Sequence, residues 1–147
     1  MAVFYITKKG ENSYSFSLLT ENNRKILSST KNFPSVRACK ICIENIVKYA
    51  NESLRANSID DHTTNKKMPY RRSKPTPRFE IYRDSRGMYR YRLFDGAGDE
   101  ILLSSGSFSK SVCQNSIKRL ASLVSGSHIV DRAQRGDVIR GFVSANI

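Results

Sequence analysis

Two stretches of this chain repeat one another at a fixed distance. Phe79-Glu80-Ile81 stands 75 residues after Phe4-Tyr5-Ile6, and Tyr89-Arg90-Tyr91-Arg92-Leu93 stands 75 after Tyr14-Ser15-Phe16-Ser17-Leu18. The same offset relates Ile101-Leu102 to Ile26-Leu27 and Phe108 to Phe33. Beyond that phenylalanine the offset falls to 74, so that Cys113, Ile117 and Leu120 answer Cys39, Ile43 and Ile46. The alignment places one deletion, after the phenylalanine. A constant offset over so many apolar positions points to a tandem duplication, which constrains every later step of the reading.

Each copy is roughly 45–50 residues, a size at which a lone core is marginal, so the two copies are expected to share one. Within a copy the periodicity changes once. Val3–Thr7, Ser13–Leu19 and Lys25–Ser29 alternate as strands, with turn formers Gly10, Asn12 and Glu21-Asn22-Asn23 between them. From Ser35, a good N-cap, apolar residues recur at helical spacing: Ala38, Cys39, Cys42, Ile43, Ile46, Val47 and Ala50. The second copy predicts strands at Arg78–Arg83, Met88–Phe94 and Glu100–Ser104 and a helix from Lys110 to Val124. A short strand after each helix follows from the echo of Ser58-Ile59-Asp60-Asp61 in His128-Ile129-Val130-Asp131.

The expected organisation is a first repeat at 1–62, a basic proline-containing linker at 63–77, a second repeat at 78–133 and a C-terminal extension at 134–147. The fold class is α+β: two tandem β-β-β-α-β repeats sharing one mostly antiparallel sheet with both helices on one face. Asp137–Val143, in the extension, reads either as an extra strand or as a tail.

The order Phe-x-Ile-Tyr-x-Asp at 79–84, Tyr-Arg-Tyr-Arg-Leu at 89–93, a glycine turn, Glu-Ile-Leu-Leu-Ser-Ser at 100–105 and Phe-Ser-Lys-Ser at 108–111 resembles the YegP-like family. These are short bacterial domains, often in tandem, of unknown function. The resemblance implies a three-strand, helix, strand unit whose C-terminal strands are exchanged between repeats. It implies no catalytic residue and no cofactor. The long basic linker and the C-terminal extension depart from the family pattern.

Charge narrows the partner. The chain carries 25 Lys and Arg against 13 Asp and Glu, a net +12, which favours nucleic acid or an acidic protein. The surplus is densest in the linker, where Lys66, Lys67, Arg71, Arg72 and Lys74 surround Tyr70. Alternation in the second repeat turns Tyr82, Arg90 and Arg92 to the side of the sheet away from the helix, where arginine beside tyrosine could neutralise and stack on a single strand. An ordinary solvated face, with Arg90 or Arg92 paired to Glu80, competes with that reading.

Other motifs carry less chemistry. Cys39-x-x-Cys42 has redox spacing, but both thiols fall on the apolar helix stripe, where cysteine packs as a small hydrophobe. His62 and His128, each beside a post-helix Ile-x-Asp, could share a metal only across the repeats and without a diagnostic spacing. Strand-end histidines facing solvent are the simpler reading. Gly96-x-Gly98 lies between strands and is a hairpin turn, not a phosphate loop. With three unframed cysteines and no run of signal-peptide or membrane-helix length, the expectation is a cytoplasmic, non-enzymatic binding protein without membrane contact. It would be a monomer by internal pseudo-symmetry, with a homodimer as the alternative. A protein-interaction or regulatory module is the competing function.

Overall fold

A computed structural model describes residues 2–64 and 76–132. The elements run β1 (Val3–Gly10), β2 (Ser13–Leu19), β3 (Lys25–Ser29), α1 (Val36–Arg55), β4 (Ile59–Asp61), β5 (Arg78–Arg83), β6 (Tyr89–Phe94), β7 (Glu100–Ser104), α2 (Lys110–Ser125) and β8 (His128–Asp131). All eight strands join one mixed sheet in the order β4-β5-β6-β7-β3-β2-β1-β8. The fold is therefore α+β, with two helices on a single sheet. Antiparallel pairs β3–β7, β1–β2, β2–β3, β5–β6 and β6–β7 make its body. Its two outer pairs, β4 with β5 and β8 with β1, are parallel.

The strands alternate as the sequence predicts. Phe4, Ile6, Phe16, Leu18 and Leu27 from the first half, and Phe79, Ile81, Tyr91 and Leu93 from the second, are buried in a single core with the apolar stripes of both helices. Removing such side chains from water is worth about 1.5–3 kcal/mol each before the entropy of ordering them. Each helix begins on a serine whose hydroxyl accepts a backbone N–H: Ser35 from Ala38 and Ser109 from Val112, both at 3.1 Å. That caps one otherwise orphan donor at each N-terminus.

The two halves use different residues for the same turns. Asn12 and Asn23 adopt left-handed backbone at φ 55° and 61°, and Gly87 and Gly98, each 75 residues later, do so at 80° and 88°. Asparagine and glycine are the residues that tolerate this conformation.

One expectation needs correction. Tyr14 bridges to Phe33, but Tyr89, its counterpart, bridges to Ser107. The offset between the two halves therefore changes from 75 to 74 before Phe108, not after it. Ser107 takes the place of Phe33, and Phe108 is left 91% exposed while Phe33 is 7% exposed. The caps agree, since Ser109 follows Ser107 as Ser35 follows Phe33. The linker residues 65–75 and the extension beyond 132, with its Asp137–Val143 strand alternative, lie outside the described residues.

Candidate binding face of the sheet

On the face away from the helices, β5 presents Arg78, Glu80 and Tyr82, and β6 presents Arg90, Arg92 and Phe94, because Phe79, Ile81, Tyr91 and Leu93 point into the core. Tyr82, Arg90 and Arg92 thus do come together, as alternation predicts. Their partners differ from the expected Glu80. Arg90 Nε donates to Asp84 Oδ2 at 2.7 Å and its Nη1 to the Ser104 carbonyl at 3.1 Å. Arg92 Nη1 donates to Glu100 Oε1 at 3.3 Å, and its guanidinium carbon lies 4.0 Å from the centre of the Tyr82 ring. Arg92 Nε is buried without an acceptor among the described residues. The hydrogen bond from Arg90 holds the Asp84 carboxyl below the usual aspartate range.

Glu80 is taken by Arg78, two residues earlier on the same strand and therefore on the same face. Arg78 Nη2 donates to Glu80 Oε2 at 2.9 Å, and Arg78 Nε lies 3.6 Å from Asp60 Oδ2. Asp60 arrives from β4, which sets it in register beside Glu80. His62 Nε2 stands 3.6 Å from Glu80 Oε1. Arg78 also stacks on Phe94, 3.9 Å from the ring centre. Asp60, Arg78 and Glu80 are all buried, and within the cluster each charge offsets part of the desolvation cost of the others.

Asp60, His62 and Glu80 bring one ligand atom each to within 4.8 Å of one another. Their donor set suits a divalent cation by type, but a guanidinium already binds both carboxylates, so the arrangement is that of an ion-pair network. Sequence reasoning missed this cluster. Its signal was present as Asp60-x-His62 and Arg78-x-Glu80, two same-face pairs, but joining them needs the parallel pairing of β4 with β5. His62 directly follows β4 and His128 begins β8, strands at opposite edges of the sheet, so they cannot share a metal.

On the other side of β4, Asp61 meets Lys110 at the start of α2. Burial works against its charge, but hydrogen bonds from Lys110 and Thr63 prevail and hold the carboxyl below the usual range. The thiols behave as core atoms. Burial raises Cys39 and Cys113 to about 11 and Cys42 to about 12, with nearby negative charge adding to it. A redox pair needs a depressed value. The linker candidates Lys66, Lys67, Tyr70, Arg71, Arg72 and Lys74 lie outside the described residues. No helix among the described residues is long and apolar enough to cross a membrane.

No family model and no curated protein matches the sequence. Two solved structures match the fold over nearly the whole chain. One is the solution structure of a UPF0339 protein from Shewanella oneidensis, at a TM-score of 0.58 and 14% identity, covering 93% of this chain and 97% of that one. The other is yegP from E. coli, a protein of unknown function, at 0.58 and 15% identity, covering 92% and 96%. At these identities the likeness is one of fold, and it bears out what the sequence resemblance implied: the chain has the YegP-like fold.

Proposed function

We propose that the chain is a tandem YegP-like protein whose repeats, 1–62 and 78–133, exchange their last strands across one sheet. The fixed offset supports this, as does the placement of β4 beside β5 and β8 beside β1. Its role is that of a small cytoplasmic binding protein without catalytic activity, and its partner is nucleic acid.

The observation that carries this reading is uncompensated charge. The acids of the sheet face, Asp60, Glu80, Asp84 and Glu100, are each matched by an arginine. Lys8, Lys9, Arg37, Lys48, Lys118 and Arg119 are exposed and form no ion pair among the described residues. These six cations face solvent, and the chain as a whole carries +12, a balance that attracts polyanions. Lys66, Lys67, Arg71, Arg72 and Lys74, around Tyr70, are the densest basic run of the sequence, and Arg90 and Arg92, each paired with an acid, would contribute hydrogen-bond donors on the sheet face beside Tyr82. Stacking of a base on Tyr82 requires Arg92 to leave the ring, so electrostatics carries the binding.

Fluorescence anisotropy with labelled single-stranded DNA and RNA tests the reading. At about four to six phosphate contacts the log–log salt slope lies near −3 to −4. Replacing Arg71, Arg72 and Lys74 with Gln flattens it by about two units. Absence of binding at micromolar protein in low salt overturns the nucleic-acid reading. A protein-interaction module then stands in front, favoured by Phe108 at 91% exposure beside the half-exposed Val112.

A further inference from the structure

The replacement of Phe33 by Ser107 leaves space. In the first half Phe33 closes the corner of the core, its ring stacked 5.7 Å from that of Phe16. At the matching corner of the second half the ring is Tyr91, the closing residue is Ser107, and a cavity of about 260 Å³ opens between β3, β7 and α2. It is smaller than the roughly 300–1,000 Å³ of sites for drug-sized ligands, a size for a compact molecule.

The chemistry of the lining selects the ligand. Tyr91 is only 2% exposed, yet its hydroxyl makes no hydrogen bond to any described residue, while its backbone N–H donates to Ser104 Oγ. Among the described residues only Arg92 Nε is fully buried without a partner, so the Tyr91 hydroxyl is reached from the cavity, and Phe16 at the matched position shows that packing here does not require a hydroxyl. Ser104 and Ser105 have spent their protons, on the Ser105 carbonyl and the Lys25 carbonyl. The Ser107 hydroxyl has not, among the described residues. Arg24 and Lys25 at the mouth are exposed and form no ion pair among the described residues. What remains unspent is three hydroxyl donors, counting Thr20 Oγ1, which only accepts from the Arg24 N–H, and two cations, with no acid in the lining. Such a set is complementary to anionic oxygen.

We propose that this cavity binds a small anion, a carboxylate or phosphate of metabolite size, whose oxygens are taken by Tyr91 and Ser107 inside and by Arg24 and Lys25 at the mouth. The site is separate from the polyanion surface, so the two stand or fall independently.

The test is amide NMR on the isotope-labelled full chain, titrated at constant ionic strength with inorganic phosphate, acetate and succinate, with chloride and glycerol as controls. The expected result is saturable shifts at Ser105, Gly106 and Ser107 with phosphate or with the carboxylates, and which series saturates identifies the anion class. Tyr91→Phe, which reproduces the first half's residue, should weaken binding by about 10- to 100-fold, the worth of one hydrogen bond to a charged group. Ser107→Phe should refill the corner and abolish binding; if that variant does not fold, Tyr91→Phe decides alone. Absence of saturable shifts with every anion, equal shifts with chloride, or unchanged affinity in Tyr91→Phe overturns the proposal.

Discussion

The two outer edges of the sheet have the same geometry and opposite chemistry. At one, β4 lies parallel to β5 and sets Asp60 beside Glu80; at the other, β8 lies parallel to β1 and sets Val130 beside Tyr5. The backbone continues alike past both strands, since His62 N–H donates to the Ile81 carbonyl at 2.8 Å and Arg132 N–H to the Ile6 carbonyl at 2.9 Å. Asp60 and Val130 are both buried, at 3% and 0% exposure, although both are on the face away from the helices. One edge satisfies that burial with Arg78 and two carboxylates. The other does it with an aliphatic side chain and with Arg132 stacked 3.6 Å from the Tyr5 ring centre. The helix-side core sets the architecture, and the opposite face can then be ionic or apolar without changing the strand order. The same contrast recurs at the corners, where Phe33 fills what Ser107 leaves open.

The most severe way to break the comparison is to separate the halves. Without the second half, β1 loses β8 and β4 loses β5, so residues 1–62 alone should be unfolded or self-associate through exposed edges. A monomeric half with dispersed amide signals and a cooperative melt would contradict the shared sheet. Next in size, Arg78→Met removes from the charged edge the guanidinium that Asp60 and Glu80 share. Urea denaturation should show a loss of about 3–5 kcal/mol, whereas a loss below 1 kcal/mol, by the same scale, would mean that the edge is held by something else.

Phe33→Ser makes the first corner resemble the second. It should cost about 3 kcal/mol, near the low end for deleting a buried ring, because Phe33 sits at the rim of the core. A Phe33→Ser protein as stable as the parent would show that the two corners are interchangeable.

The smallest expected effects are on pH. The three thiols have folded values raised above their ordinary 9.0, so their contribution is complete below about pH 9 and is lost as pH rises toward about 11 to 12. Native thiol-reagent reactivity should stay slow across neutral pH and become fast on denaturation. Asp61 and Asp84 act in the opposite sense. With folded values below 3.8, they contribute stability above that pH and lose it as pH falls through the lowered values. Lys110→Ala should weaken the Asp61 part of this acid dependence, leaving the share that the Thr63 hydrogen bonds supply, which a pH series of melting temperatures would detect.

Much of the molecule was legible from local pattern. Period-two alternation located β1 to β3 and β5 to β7, helical spacing with Ser35 located α1, and the same alternation put Tyr82, Arg90 and Arg92 on one face. These are properties of neighbouring residues, which sterics and burial read directly along the chain. Only the tertiary structure decided the rest. Alternation says that Arg92 points away from the helices, but not that it leaves Glu80 to Arg78 and takes Glu100 and Tyr82 instead. That choice depends on side-chain reach across three strands. Nor could periodicity place the one-residue change of offset in the loop before α2, where no alternating pattern runs. Pairing of Tyr89 with Ser107 settled it, and with it which phenylalanine fills a core and which stands in solvent. The charged edge follows the same logic: Asp60 and Glu80 are 20 residues apart, and parallel pairing between strands far apart in sequence is written in no local signal.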